Sequence, residues 1–304
     1  MHIGEPTSQS KVARAARIFA VASCTAAMLA TLLAAAPTQA QTYQAPSSFV
    51  SGTAGAGGQT SFRFGTATDV TVTFSTAFTT TGGIYSYGVR TASSTIGAIG
   101  NNSNAYLTGA TTASLGSLLD LWGYGCAIPG FAPETDPNTG QLCVNRGTLT
   151  VTFSQPVVNP IIHLGGLGSS EVIASPGLHY AAEYTVASAA NGASPVAATL
   201  SALSGSAAFA VTGGNKVQNS GPASSVSATC AAAAPGAACG STRVNGTVTS
   251  VTFDVGLRGY GTQSQGTSTP TGYFQNQGSG YTDGHTVSAS IAPQADLRVS
   301  KTDN

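Results

Sequence analysis

The chain has 304 residues, 41% of them hydrophobic and 7% charged, and its eleven lysines and arginines balance its eleven aspartates and glutamates. Ordinary soluble domains carry roughly 25% charged residues, so Ser, Thr, Gly and Ala must fill this surface instead. With no basic cluster, the sequence lacks the electrostatic footprint of a nucleic-acid partner or of attraction to anionic lipid.

Residues 1–40 read as a secretory leader. Lys11, Arg14 and Arg17 form a basic start, Ile18 to Ala36 is an apolar run, and Thr38-Gln39-Ala40 places small residues at the −3 and −1 positions. A run of about 20 apolar residues can also span a bilayer, but here it is Ala-rich and followed by Pro37 and a good cleavage site. Only six residues of that run precede Cys24, too few for a lipoprotein leader. The expected product, Gln41 to Asn304, has 264 residues with 10 acids and 8 bases, a net charge of about −2. That length suits one large β-domain or two small ones. The leader implies a secreted or extracellular protein, associated with a cell surface and without membrane insertion once the leader is cleaved.

Gln41 to Gly58 is rich in Gly, Ala and Ser and predicts an extended or mobile lead-in, so that the domain proper runs over 59–293. Within it, β alternation recurs three times in nearly the same words: Val70-Thr71-Val72-Thr73-Phe74, Leu149-Thr150-Val151-Thr152-Phe153, and Val248 through Val251-Thr252-Phe253. Threonine is expected to face water and the aliphatics a core. The unequal separations and unmatched flanks argue for one strand solution reused, not for a repeat protein.

Further strands are predicted at Ser61 to Phe64, Ile84 to Val89, Pro160 to Leu164, Leu178 to Val186, Ala207 to Val211 and His285 to Ile291. Between the second and third of these, Ala113 to Trp122 is expected to form a short helix, because Leu115, Leu118, Leu119 and Trp122 fall at helical spacing. Ala187 to Ser206 and Gly256 to Gly284 carry the weakest signals for regular structure. Many short strands separated by turn residues predict an all-β fold, a two-sheet sandwich of jelly-roll or lectin-like type with long loops.

Four cysteines remain after the leader. Three pairings are possible, and the closeness of Cys126 to Cys143 and of Cys230 to Cys239, in an oxidising compartment, favours two short-range disulfides. A metal site would need closer couples such as Cys-x-x-Cys.

His163, Glu171, His179 and Glu183 are the densest ionisable set. On a strand over Leu178 to Val186, His179 and Glu183 share one face, directed to solvent, some ~13 Å apart at about 3.3 Å per residue, too far for a catalytic couple. His163 lies in an apolar run and reads as a hydrogen-bonded core histidine. No Gly-x-Ser-x-Gly elbow or His-Glu-x-x-His helix is present, and no catalytic residues are assigned. Glu134, Asp136 and Asn138 alternate as calcium ligands would, the competing reading being a solvated Pro-rich turn. No other cofactor is implied.

Binding is better supported than catalysis. Tyr260, Tyr273, Phe274 and Tyr281 are interleaved with Gln263, Gln265, Gln275, Asn276 and Gln277, so that aromatic faces can stack on sugar rings and amides can bond their hydroxyls. Trp122 and Tyr124 form a second aromatic cluster beside Cys126. The competing reading makes Trp122 and Tyr124 core anchors and the Gln-rich loop merely mobile.

The ending Ala295-Asp296-Leu297-Arg298-Val299-Ser300-Lys301-Thr302-Asp303 resembles the opening strand of the tandem conserved repeats of large bacterial surface proteins, which are immunoglobulin-like sandwiches. Residues 294–304 would then be the first strand of such a repeat, and the chain a fragment of a longer protein. Thr152-Phe153-Ser154-Gln155-Pro156-Val157, Asn159-Pro160-Ile161-Ile162-His163-Leu164 and Tyr281-Thr282-Asp283-Gly284-His285-Thr286 resemble the non-repetitive domain of Csh-type fibrillar adhesins, a likeness extending over roughly residues 45–293. It implies a lectin-like sandwich that binds glycoproteins at the tip of a surface fibril. The resulting expectation is a non-catalytic, adhesin-like domain for an extracellular glycoprotein or glycan. The alternatives are a passive structural component of a surface or matrix, and a secreted glycan-acting enzyme.

Overall fold

The computed structural model describes residues 43–65, 69–78, 80–81, 84–85, 89–98, 106, 110–111, 113–122, 141–143, 146–170, 179–220, 230, 236–260 and 282–292. In chain order the strands are β1 (Pro46–Thr53), β2 (Gln59–Phe64), β3 (Thr71–Phe78), β4 (Thr80–Thr81), β5 (Ile84–Tyr85), β6 (Val89–Thr95) and β7 (Leu115–Trp122). They continue with β8 (Gln141–Cys143), β9 (Gly147–Val158), β10 (Ile161–Leu167), β11 (Ser169–Ser170), β12 (His179–Asn191) and β13 (Ser194–Pro195). The last are β14 (Thr199–Gly205), β15 (Phe209–Thr212), β16 (Lys216–Asn219), β17 (Ala238–Asn245), β18 (Thr247–Tyr260) and β19 (Thr282–Ser290). Among the described residues the only helical piece is a 3-10 turn at Ile96–Ala98.

The fold is an all-β sandwich of antiparallel sheets. The larger sheet runs β1-β2-β3-β9-β18-β12-β16-β15, with β8 added to β18 and with β11 and β13 added to β12; the smaller runs β14-β17-β10-β19-β7-β6. The three similarly worded strands turn out to be neighbours. Thr73 pairs with Thr152 and Thr152 with Ser250, while Ser75 pairs with Thr150 and Thr150 with Thr252. Because side chains alternate, this register puts Val72, Phe74, Val151, Phe153, Val251 and Phe253 into one core with Leu119, Leu121, Ile162, Leu164, Val287 and Ala289 of the smaller sheet. The threonines line the opposite, outer face, where Ser61 bonds Thr73 at 2.8 Å and Thr150 bonds Thr252 at 3.1 Å.

Three expectations are corrected. Ala113–Trp122 is not a helix: Leu115–Trp122 is β7, inserted between β6 and β19, with Leu119 and Leu121 both in the core. Leu115, Leu119 and Leu121 also share a period of two, and two strands stand ready to pair. The lead-in carries structure too, since Pro46–Thr53 pairs with β2 and ring contacts link Phe49 to Phe62. Ala187–Ser206 is largely regular, shared by the end of β12, β13 and β14.

The smaller sheet is covered on both faces. Every residue of β10 is buried, and its outer side meets a second cluster of Ile96, Tyr106, Ala110, Cys230 and Cys239. Cys230 and Cys239 form a disulfide, with Cα atoms 5.6 Å apart, as the spacing predicts. Gly165 is required at this contact, because a Cβ there would stand 2.4 Å from the Tyr106 hydroxyl. Cys126 lies outside the described residues.

Candidate functional site

The strand registers bring two of the predicted aromatic positions, Trp122 and Tyr260, to one pole. Trp122, at the end of β7, pairs with Thr282; Tyr260, at the end of β18, pairs with His179; and Gln141 of β8 pairs with Gly259. The chain ends of the sandwich meet at the other pole, where Gln44 and Ile291 exchange backbone hydrogen bonds of 2.8 and 3.0 Å. There Asn159, in the left-handed region at φ 50°, turns β9 into β10 and accepts the Gly246 N–H. Segments 123–140, 171–178 and 261–281 therefore each join strand ends of the aromatic pole. Tyr124, Tyr273, Phe274 and Tyr281 lie outside the described residues, as do Glu134, Asp136 and Asn138. Trp122, Cys143, His179 and Tyr260 are placed through their backbone alone.

Beneath this pole lies a polar cluster that sequence reading missed. Chain passes from the smaller sheet to the larger where β10 gives way to β11, at Gly168 with φ 120°, a conformation that suits glycine. Asp283 of β19 is completely buried at that corner and accepts the Gly168 N–H at 3.1 Å and the Ala182 N–H of β12 at 2.5 Å. The β12–β16 pairing joins Tyr184 to Val217 and Thr185 to Lys216 and does not extend from Tyr184 toward Ala182. In that register Ala182 would face Asn219. Asn219 instead turns its amide to the carbonyls of Leu167 and Gly236, and Asp283 serves as the acceptor for Ala182.

His285, two residues on, points to the same side of β19. Its Nδ1 lies 3.1 Å from the Asp283 carbonyl, which can only accept, so Nδ1 carries the proton and Nε2 accepts from the Tyr184 hydroxyl. Burial governs the ionisation of all three. It raises Asp283 to about 7, against the two backbone N–H groups that favour the carboxylate, and Asp120 adds to the rise. Burial lowers His285 to about 4, opposed by the bond to the Asp283 carbonyl. Tyr184 is pushed well above its ordinary value, first by burial and then by the nearby Asp283 charge. An acid, a histidine and a tyrosine form a set that could do proton transfer, but each is sealed from water and each has its hydrogen-bonding groups engaged inside the protein. The cluster braces the two sheets under the pole.

The remaining ionisable residues separate. His163 is buried on the outer side of the smaller sheet, with Nδ1 2.7 Å from Ser241 Oγ and Nε2 2.8 Å from Ser290 Oγ, and burial lowers it to about 3. It is the core histidine its apolar flanks predict. Glu183 is not directed to solvent as expected. It is 3% exposed, with Arg258 Nε at 2.9 Å and Lys216 Nζ at 3.6 Å. It does occupy the outer face of the larger sheet, where these long cationic side chains cover it. Glu171 lies outside the described residues. Among the described residues no three His, Cys, Asp or Glu side chains gather as a metal site would require.

No protein-family model, curated protein or solved structure matches this chain. Asp283 and His285 had a usable signal in the sequence, for they share the parity of Val287, Ala289 and Ile291, so extending that strand toward its start turns both inward. Glu183 had none, because its cover comes from Arg258, 75 residues away.

Proposed function

We propose that this sandwich is a non-catalytic, adhesin-like binding domain, exported from the cell, that recognises an extracellular glycan or glycoprotein with its aromatic pole. One observation supports this reading most. The strand ends bearing Trp122 and Tyr260, contributed by different sheets, share a pole, while Gln44 and Ile291 bring the chain in and out at the other. A domain tethered at Gln44 and Ile291 would present the aromatic pole outward. Loops on a rigid sandwich are a common place for recognition. The amide-rich and aromatic composition of 259–281 suits hydroxylated, uncharged ligands.

A passive structural role is the second reading. It is favoured by the outer face of the larger sheet, where Ser and Thr hydroxyls of neighbouring strands bond one another.

The test is a screen of the exported chain against a glycan array and a panel of matrix glycoproteins, with Trp122→Ala, Tyr273→Ala and Phe274→Ala alongside. Saturable binding lost in variants that still unfold cooperatively supports the pole as the site. Binding that all three variants retain moves the site elsewhere, and silence from the folded protein leaves the structural role.

A further inference from the structure

Asp283 occupies an unusual position for a carboxylate. It is completely buried, and its two oxygens accept backbone N–H groups from separate strands: Gly168, where the chain changes sheets, and Ala182, which the β12–β16 pairing does not reach. The ties are made by one ionisable group. A neutral carboxyl retains lone pairs for both amides and brings no charge into the dry corner, whereas the carboxylate makes bonds roughly twice as strong but must be held out of water.

The groups that surround it are identifiable. From β12 come Ala182 and the Tyr184 ring; from β19 itself comes His285, with Nδ1 4.0 Å from the Asp283 carboxylate. From β7 comes Asp120, which pairs with Gly284 and so lies on the next strand at the adjacent position. The end of β10 brings only Leu167 and the uncharged corner. Glu183, Arg258 and Lys216 belong to the outer face of the larger sheet, on the far side of β12. Among the described residues Asp283 thus has no cation for a partner. Its ionised form is opposed by burial and by Asp120 and favoured by two N–H dipoles.

We propose that Asp283 is a proton-controlled latch on the inter-sheet corner: protonated, it holds the Gly168 and Ala182 amides in a dry corner; ionised, its buried charge draws water in and loosens the base of β11 and β12 under the aromatic pole. The inference does not depend on the pole binding anything. Neither His285 nor Tyr184 changes charge near neutrality, since burial holds one at about 4 and the other well above its ordinary value. Asp283, raised to about 7, does.

The experiment is an amide ¹H–¹⁵N titration of the exported chain from pH 5 to 9 without ligand, with hydrogen exchange at both ends of the range. Expected is a joint movement of Gly168 and Ala182 with one midpoint near neutrality. On the alkaline side, after correction for intrinsic exchange, their protection should fall about tenfold, the factor for a loss of 1.4 kcal/mol in the stability of the closed corner. Asp120→Asn should move the midpoint to lower pH, and Asp283→Asn should remove the titration. If Asp283→Asn does not fold, the wild type and Asp120→Asn decide. Amides that stay flat across the range, or a midpoint that ignores Asp120→Asn, overturn the latch.

Discussion

The outer faces of the two sheets use the same side chains to opposite ends. On the larger sheet, Ser61, Thr73, Ser75, Thr150 and Thr252 stand half-buried in cross-strand rows, where water can complete whatever bonding they leave open. On the smaller sheet, Ser241, Thr286, Ser288 and Ser290 are buried under the cluster around Tyr106 and the disulfide. There the protein must supply every partner itself. Ser241 and Ser290 hold His163, Thr286 donates to the Ile96 carbonyl at 3.1 Å, and Ser288 donates to Leu115. A hydroxyl in a strand therefore says little about exposure. Its energetic weight is set by what the rest of the chain lays over it.

The sharpest way to break this contrast is His163→Ala. The change opens a cavity in a fully buried site and removes the ring that bonds the Ser241 and Ser290 hydroxyls, so a loss of about 3–5 kcal/mol is expected in urea unfolding. A loss under about 1 kcal/mol would mean that the covered face is wet in solution and that the two faces differ less than their burial implies.

Acid comes next. His163 and His285 have folded values lowered to about 3 and about 4, so their contribution is present above the unfolded value of about 6.5 and is lost as pH falls through the window below it. Asp283, raised to about 7, works the other way. Its contribution is full below the unfolded value of about 3.9 and is lost as pH rises toward 7. Two histidines against one aspartate leave a net loss on the order of 3 kcal/mol between pH 6.5 and 4. Thermal melts at intervals over that range should show it, and Asp283→Asn should make the acid loss larger by removing the opposing contribution. A melting temperature that is level or rises toward pH 4 would show that the histidines are not held neutral.

Reduction of Cys230–Cys239 acts only on the covered face. The bridge spans a sequence separation of 9, for which loop-closure entropy corresponds to about 2–3 kcal/mol. Cys230→Ser with Cys239→Ser should lower stability by that amount and increase amide exchange around Tyr106 and Ile96, while β2, β3 and β9 keep their protection. Uniform loss of protection across both sheets would make the bridge a global staple and not a local one.

What the sequence made legible follows from range. The Thr-Val strands are local, so alternation alone assigned their faces, and the apolar flanks of His163 were enough to place it inside. The sequence could not say that those three strands lie side by side, because register across 79 to 100 residues is a property of the assembled sheet. Glu183 was misplaced for the same reason: its face was read correctly, but the side chains that cover it arrive from β16 and β18. Leu115 and Leu119 of β7 fit both a helical and a strand period, and the neighbouring strands decided between them. The aromatic pole was legible as composition, since Trp122 and Tyr260 were singled out by type. That they share one end of the sandwich emerges only from pairing.

The smallest effect is the most discriminating. Ser61→Ala removes a hydroxyl that bonds Thr73 at 2.8 Å on the half-buried face; water can replace that bond, and a change within about 0.5 kcal/mol is expected. Ser241→Ala deletes a hydroxyl of the same kind, 2.7 Å from His163 Nδ1 on the covered face, and leaves a buried ring nitrogen without a partner at a cost of about 1–3 kcal/mol. Measured in one host under one denaturant, the pair isolates covering from chemistry, because a single hydroxyl is lost in each case. Equal costs would locate the difference between the faces in packing alone, with hydrogen bonding contributing nothing to it.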